Sequence, residues 1–218
     1  HELRTPLTAM RGFVDLILEE KAGDISETQR TLLGRVSRNT QHLSHLVNDL
    51  LEVAQIQAEG TLEVGLTNVN PLAVLEQTMP KLEERRRERH VRVEPMVEGQ
   101  LPQILSDEQA LGRIFFHLLD NAIKFSPRDS AVQVVISRTD GECHIAVRDH
   151  GVGIPREKIK RIFEHFYQVD STLTRGFEGL GLGLAVTKML IQATRGRILV
   201  ESEEGEGSTF TVVYPVVG

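Results

Sequence analysis

The sequence predicts two units of different build: an all-α helical hairpin that pairs with a second copy as a dimeric four-helix bundle, followed by an α+β sandwich. Three observations carry this. Over residues 1–59 apolar side chains recur by alternating threes and fours, a period of about 3.5 that belongs to coiled coils and bundles. Turn formers then gather at Gly60, Gly65, Asn68, Asn70 and Pro71, around one short strand-like run at 61–66. Beyond them, short β-branched runs are interleaved with helical patterns, so that helices cover one face of a mixed or antiparallel sheet. The units are placed at 1–59 and 60–218.

The first helix carries Leu3, Leu7, Met10, Val14 and Ile17 on one stripe. Ala22-Gly23-Asp24 interrupts the pattern, and Ser26 with Gln29 forms a capping-box start for the second helix. That helix carries Leu33, Val36, Thr40, Leu43, Val47, Leu50 and Ala54, widened by Leu32, Leu46 and Val53. One hairpin cannot bury so wide a stripe, and a homodimer through residues 1–59 is the economical solution. The alternative is a hairpin packed on the rest of its own chain. In the second unit, 71–89 reads as helix, and its end, Glu83-Glu84-Arg85-Arg86-Arg87-Glu88-Arg89, as a solvated face. Strands are expected at 91–97, 132–138, 144–147, 197–201 and 209–214, with helices at 107–125 and 180–194.

Composition narrows the function. The 218 residues are 40% hydrophobic and 26% charged, a globular balance that excludes disordered and collagen-like classes. Lys and Arg number 25 against 31 Asp and Glu, a net charge of −6, where a nucleic-acid binder carries a basic surplus. Cys143 is the single cysteine, so neither a disulfide framework nor a thiolate zinc cluster is expected, and a reducing, cytoplasmic setting is. No apolar run approaches the ~18 residues of a membrane span. The chain starts at His1 without an initiating Met, so a fragment is expected, tied to a membrane only through segments upstream of it.

Three clusters in the second unit can carry chemistry. In Asn121-Ala122-Ile123-Lys124, the amide and the ammonium are three apart on one helical face; an amide oxygen suits a hard cation and a lysine suits a phosphate. An amphipathic helix with two exposed polar residues would look the same. In Asp149-His150-Gly151-Val152-Gly153, a carboxylate at a strand end can accept from a ring amine while Gly151 and Gly153 admit a flat base. A plain turn is its alternative. Gly179-Leu180-Gly181-Leu182-Gly183 opens a helix, where unpaired N–H groups and the dipole favour phosphate. It lacks the Gly-Lys-Ser/Thr of a P-loop and the preceding buried strand of a dinucleotide fingerprint.

Taken in order, these motifs resemble the catalytic core of the sensor histidine kinases of two-component systems, over nearly the whole chain. His1-Glu2-Leu3-Arg4-Thr5-Pro6 resembles the H box, Asn121 to Lys124 the N box, and Phe163-Glu164-His165-Phe166-Tyr167 the F box. The Asp149 to Gly153 run and the glycine-rich run follow in family order, and 197–210 resembles the terminal β-hairpin. The resemblance implies a sandwich of the histidine-kinase, gyrase and chaperone ATPase type, ATP and Mg²⁺ as ligands, and a response regulator's receiver domain as partner.

By that resemblance His1 accepts the γ-phosphoryl group, Glu2 is base and orienter, and Glu2 with Thr5 marks phosphatase activity toward the regulator. Off the apolar seam, positions 1, 5, 8, 12 and 15 form a separate stripe, so His1 is expected to face solvent, and Pro6 to kink the helix beside it. Asp149 is assigned to the adenine amine, Asn121 to Mg²⁺ and Lys124 to the phosphates; Gly179, Gly181 and Gly183 hinge a lid over 169–178 and contact the phosphates. Phe163 and Phe166 are expected to anchor the base of the lid by packing. Two positions depart from the family pattern. His117 stands where many relatives have Asn, and Gln168 where many have Arg, with Arg175 of the lid as a candidate substitute. Arg195 takes the place of a common glycine, as turn variation. An ATP-hydrolysing clamp and a nucleotide-binding scaffold without kinase activity are the competing readings.

Overall fold

The computed structural model describes residues 4–59, 64–169 and 181–217, and the chain divides into two compact units, His1–Ala58 and Glu59–Gly218.

The first unit is a helical hairpin, α1 (Arg4–Leu18) and α2 (Glu27–Glu59). Its turn is built from local chemistry. Ser26 N–H donates to Gln29 Oε1 at 2.8 Å and Gln29 N–H to Ser26 Oγ at 3.2 Å, the reciprocal pair expected of that spacing. Arg30 Nη1 donates to Leu18 O at 3.0 Å, capping the last turn of α1 from the neighbouring helix. The predicted seam splits in two. Leu7, Val14 and Thr40 are buried, with Leu33 and Val47 half-buried, so 33, 40 and 47 face the hairpin's own interior at heptad spacing. Val36, Leu43 and Leu50, also seven apart, stay exposed with Leu32, Met10, Phe13 and Leu16. Thr40 sits in the seam without an orphaned hydroxyl, because its Oγ1 donates to Val36 O at 2.9 Å.

The second unit begins with β1 (Thr67–Val69), α3 (Pro71–Thr78), a 3₁₀ turn (Met79–Leu82) and α4 (Glu83–Arg89). The strand expected at 61–66 is corrected to Thr67–Val69: residues 64–66 are irregular and 60–63 lie outside the described residues. Pairing sets this position, since β1 runs antiparallel to β3 (Ile104–Ser106), a three-residue strand that the sequence pattern does not disclose. Helix 71–89 is likewise broken, with Pro80 in the 3₁₀ turn between α3 and α4. α3 starts on Asn70, whose side chain accepts from Leu72 N and Ala73 N.

The main sheet has five strands, β2 (Arg92–Glu98), β4 (Ala131–Thr139), β5 (Glu142–Arg148), β6 (Arg197–Glu203) and β7 (Gly207–Pro215), ordered β2-β4-β5-β7-β6. It is mixed, because β2 and β4 are parallel and every other pair is antiparallel. Alternate residues of β4 and β5, from Val132 to Ile136 and Cys143 to Val147, are buried, which fixes the register to one core face. Against it lie α5 (Glu108–Phe125) and α6 (Gly183–Ala193). α5 opens on Asp107, whose Oδ1 accepts from Ala110 N at 2.9 Å, and buries Leu111, Ile114, Phe115, Leu118, Ala122 and Ile123. Its half-buried residues include His117, Asn121 and Lys124, a separate stripe.

α6 begins at Gly183, so the glycine run precedes the helix more than it enters it. Arg195 after α6 has a φ of 61°, the left-handed region where glycine is favoured. Thr194 Oγ1 and the buried Tyr214 hydroxyl lie 2.8 Å apart, tying this turn to β7. Among the described residues no helix is long and apolar enough to cross a membrane.

The expectation of a solvated face over Glu83 to Arg89 is corrected. Arg85 pairs with Asp120 of α5, and Arg89 Nη2 donates to Lys124 O and Ser126 O, each at 2.9 Å. Glu84, Arg87 and Glu88 are exposed, so only part of the run faces water.

Candidate functional site

His1 and Glu2 lie outside the described residues, as do Arg175 and Gly179 and most of the expected lid. Thr5 sits in the first turn of α1, and Thr5, Thr8 and Gly12 are exposed with Asp15 half-buried, the polar stripe expected off the seam. Pro6 also falls in that first turn, as the third residue of α1, where its missing N–H has no intrahelical acceptor to lose; residues 1–3, on which the expected kink depends, lie outside the described residues.

The second unit brings together the end of β5, the C-terminal half of α5 and the β6–β7 turn. Asp149 follows β5 and is 7% exposed. Its Oδ1 accepts from Gly151 N at 2.8 Å and from Ser208 N at 3.3 Å. Burial pushes this carboxyl above the usual range, against the downward pull of those two N–H groups. Among the described residues both bonds go to one oxygen, so Oδ2 remains for an outside donor, as recognition of an amine demands.

The glycines beside it have structural reasons that the sequence did not separate from ligand binding. Gly153 has a φ of 65°, and a Cβ there would stand 1.9 Å from Glu203 O, so the loop is pressed against the β6–β7 turn. Gly205 N donates to Val152 O at 2.8 Å and Ile154 N to Ser202 Oγ at 2.8 Å along the same seam. A Cβ on Gly151 would lie 2.7 Å from Phe125 O, the carbonyl that ends α5. Ser202 and Ser208 are therefore site residues that the sequence reading missed; the Ser-Glu-Glu-Gly-Glu-Gly-Ser turn was their only signal.

On α5, Asn121 and Lys124 are half-buried and one turn apart, and Lys124 Nζ lies 4.9 Å from the Phe125 ring centroid. His117, one turn earlier, faces α6: a Cβ on Gly183 would stand 3.2 Å from its Nδ1. The histidine thus borders the N-terminus of the helix that the glycine run precedes. An open groove of about 600 Å³ beside Asp149, lined by Arg148, Arg156 and Lys160 among others, does not include Asn121 or Lys124.

At the base of the expected lid, Phe166 N donates to Gly181 O at 3.1 Å. Gly181 has a φ of 68°, and a Cβ there would come 2.5 Å from Tyr167 O. Phe166 and Tyr167 are thereby held against Gly181. The expectation that Phe163 and Phe166 anchor this base by packing is corrected for Phe166, which is 59% exposed and tied through its backbone. Ile162 is the buried side chain here, and Phe163 is half-buried with Lys188 Nζ 5.4 Å from its ring.

Among the described residues no group of three or more His, Cys, Asp or Glu is placed to hold a metal. A lone amide at Asn121 fits Mg²⁺ all the same, because that ion keeps waters and is held mainly through substrate phosphates.

Residues 106–218, more than half of the chain, match the family described as histidine kinase-, DNA gyrase B-, and HSP90-like ATPase. Residues 1–59 match the His Kinase A (phospho-acceptor) domain. The chain is 35% identical over 218 residues to the circadian input-output histidine kinase CikA of Synechococcus elongatus, covering 99% of this chain and 29% of that protein. It is 29% identical over 227 residues to the cell-division control histidine kinase PdhS of Brucella abortus, covering 99% of this chain and 22% of that one. Among solved structures, full-length ShkA in complex with AMPPNP superposes with a TM-score of 0.77 at 32% identity, over 100% of this chain and 44% of that chain. The chain therefore spans under a third of the length of these two curated relatives.

Proposed function

The chain belongs to the sensor histidine kinases, as their catalytic core, and from that premise we propose that it is an ATP-dependent kinase that phosphorylates its own His1 and passes the phosphoryl group to a response regulator. The observation that carries the nucleotide half is the Asp149 carboxylate, buried, oriented by two backbone N–H groups and left with one oxygen for the adenine amine. Gly151 and Gly153 let the loop that carries Asp149 press against the end of α5 and the β6–β7 turn, and Lys124 and the half-buried Asn121 hold the phosphate end, with Asn121 as the protein's ligand to Mg²⁺. Held there, Mg²⁺ would supply charge neutralisation at the phosphates. Gly179, Gly181 and Gly183 shape the phosphate side, with Phe166 and Arg175 at the lid.

In the transfer, the neutral imidazole of His1 attacks the γ-phosphorus, a nitrogen–phosphorus bond forms, the bond to the bridging oxygen breaks and ADP leaves. Glu2 takes the ring proton that is released. The aspartate of a receiver domain then attacks the phosphohistidine, restoring His1. Thr5, exposed one turn beyond, positions water against the phosphorylated regulator, which makes the enzyme bifunctional. The unit 1–59 is the dimerisation and phosphotransfer domain, and 60–218 the ATP-binding domain. The exposed half of the heptad seam, Val36, Leu43 and Leu50, supports the homodimer. The core works in the cytoplasm.

The test is autophosphorylation with γ-labelled ATP and Mg²⁺, wild type beside His1→Gln, on the whole chain. Acid-labile, alkali-stable label that the variant lacks is the expected result. Phosphate released without label would mean an ATPase clamp, and nucleotide binding without either would mean a scaffold. In the same preparation Thr5→Ala is expected to lower dephosphorylation of the regulator at least about tenfold more than it lowers labelling. Arg175→Ala is expected to slow labelling; an unchanged rate removes Arg175 as the substitute for the arginine that Gln168 replaces.

A further inference from the structure

We infer that Arg89 is a positioning residue for the phosphate end of the nucleotide site, acting through the backbone of α5. The inference rests on the reading of Lys124 and Asp149 as nucleotide ligands. Arg89 closes α4, and its Nη2 donates to both Lys124 O and Ser126 O at 2.9 Å. Both carbonyls belong to the last turn and cap of α5, which have no intrahelical donor of their own, and a cation there also meets the negative end of the helix dipole.

Between those two carbonyls lies Phe125 O, the atom that a Cβ on Gly151 would approach to 2.7 Å. Three consecutive peptide units are thus set from both sides: two by the guanidinium, and the middle one by the loop that carries Asp149. One turn earlier the pattern repeats, because Arg85 pairs with Asp120, the neighbour of Asn121. Arg85 and Arg89 are four apart on α4, as Asp120 and Lys124 are on α5, so two matched rungs clamp the segment that bears both side chains. The Lys124 side chain starts from the very residue whose carbonyl Arg89 holds. A rotation of that last turn would move Nζ and reopen the contact with Gly151 together.

This makes a separable prediction about ligands that differ only in phosphates. Affinities for AMP-PNP with Mg²⁺ and for adenosine are measured on the whole chain, below its unfolding temperature, for wild type, Arg89→Gln, Arg89→Lys and Lys124→Ala. Arg89→Gln, which lacks the cation and the reach to span both carbonyls, is expected to weaken AMP-PNP about tenfold and adenosine by less than about twofold. Arg89→Lys is expected to recover most of the loss.

Equal weakening of both ligands by Arg89→Gln, or of neither, overturns the inference. If Lys124→Ala weakens AMP-PNP while Arg89→Gln does not, positioning by Arg89 is wrong and the role of Lys124 stands. If Lys124→Ala also leaves AMP-PNP unchanged, the reading of Lys124 falls and the inference with it. Should Arg89→Gln fail to fold, Arg85→Gln decides: it is expected to shift the AMP-PNP to adenosine ratio in the same direction by a smaller factor, and an unchanged ratio overturns the proposal.

Discussion

Asp149 and Ser208 hold each other at two points: Asp149 N donates to Ser208 O at 2.9 Å, and Ser208 N returns a bond to Asp149 Oδ1 at 3.3 Å. The strand after the last turn of the fold thereby aims the carboxylate at the end of β5. Burial works against that carboxylate, since its charged form is the one disfavoured.

Asp149→Asn separates binding from stability. The Asn oxygen can still accept from Gly151 N and Ser208 N, but its amide now presents a donor where an amine donor must be accepted. Nucleotide affinity is expected to fall by roughly 2 kcal/mol, about thirtyfold, in calorimetric titration. Because the folded carboxyl is shifted upward, the wild type loses stability as pH rises from the unfolded value through the folded one. The nucleotide-free variant is therefore expected to melt above wild type near neutral pH, and the gap to close in acid.

Gly153→Ala is expected to destabilise the second unit by about 3 kcal/mol or more, read as a fall in denaturation midpoint without nucleotide. The new methyl has no free space, because the obstacle 1.9 Å away is the Glu203 carbonyl, a backbone atom paired within the hairpin. A variant that melts normally and only loses nucleotide would show that Gly153 serves the ligand alone.

Arg195→Gly is expected to stabilise the protein by about 0.5–1 kcal/mol in chemical denaturation, since the φ of 61° strains any residue with a Cβ. The side chain is exposed, so little packing is lost.

Phe13→Glu is expected to convert the proposed dimer to monomer in sedimentation while helix content is kept. Phe13 is 67% exposed in α1 and takes no part in the hairpin's buried layer of Leu7, Val14 and Thr40. Loss of helicity instead would place Phe13 in the hairpin's own packing.

What could be read from the chain was whatever is settled within a few residues. The Ser26 and Gln29 cap, the Asp107 start of α5 and the alternation of β4 and β5 each express short-range stereochemistry, and each stands where its pattern placed it. β3 escaped because three residues carry no period, and its only reason to be a strand is a partner at Thr67–Val69. The arginines of α4 escaped for the same reason: a run of alternating charge looks solvated until Asp120 and the end of α5 are seen beside it. In the site, the residue types around Asp149 and Asn121 were legible from their order, whereas the work of Ser208, Gly153 and Phe166 is done by backbone atoms that no side-chain pattern reveals.

The division of the helical seam bears on how such proteins multiply. Residues 33, 40 and 47 keep a hairpin folded on itself, while 36, 43 and 50 meet the second copy in the proposed dimer. A duplicated gene can therefore drift at the second set and acquire a private pairing code, with no penalty to the hairpin it inherits. Sister sensors sharing one cell would sort into their own pairs by three or four side chains, and crosstalk between signalling lines would be insulated at assembly, before any phosphate moves.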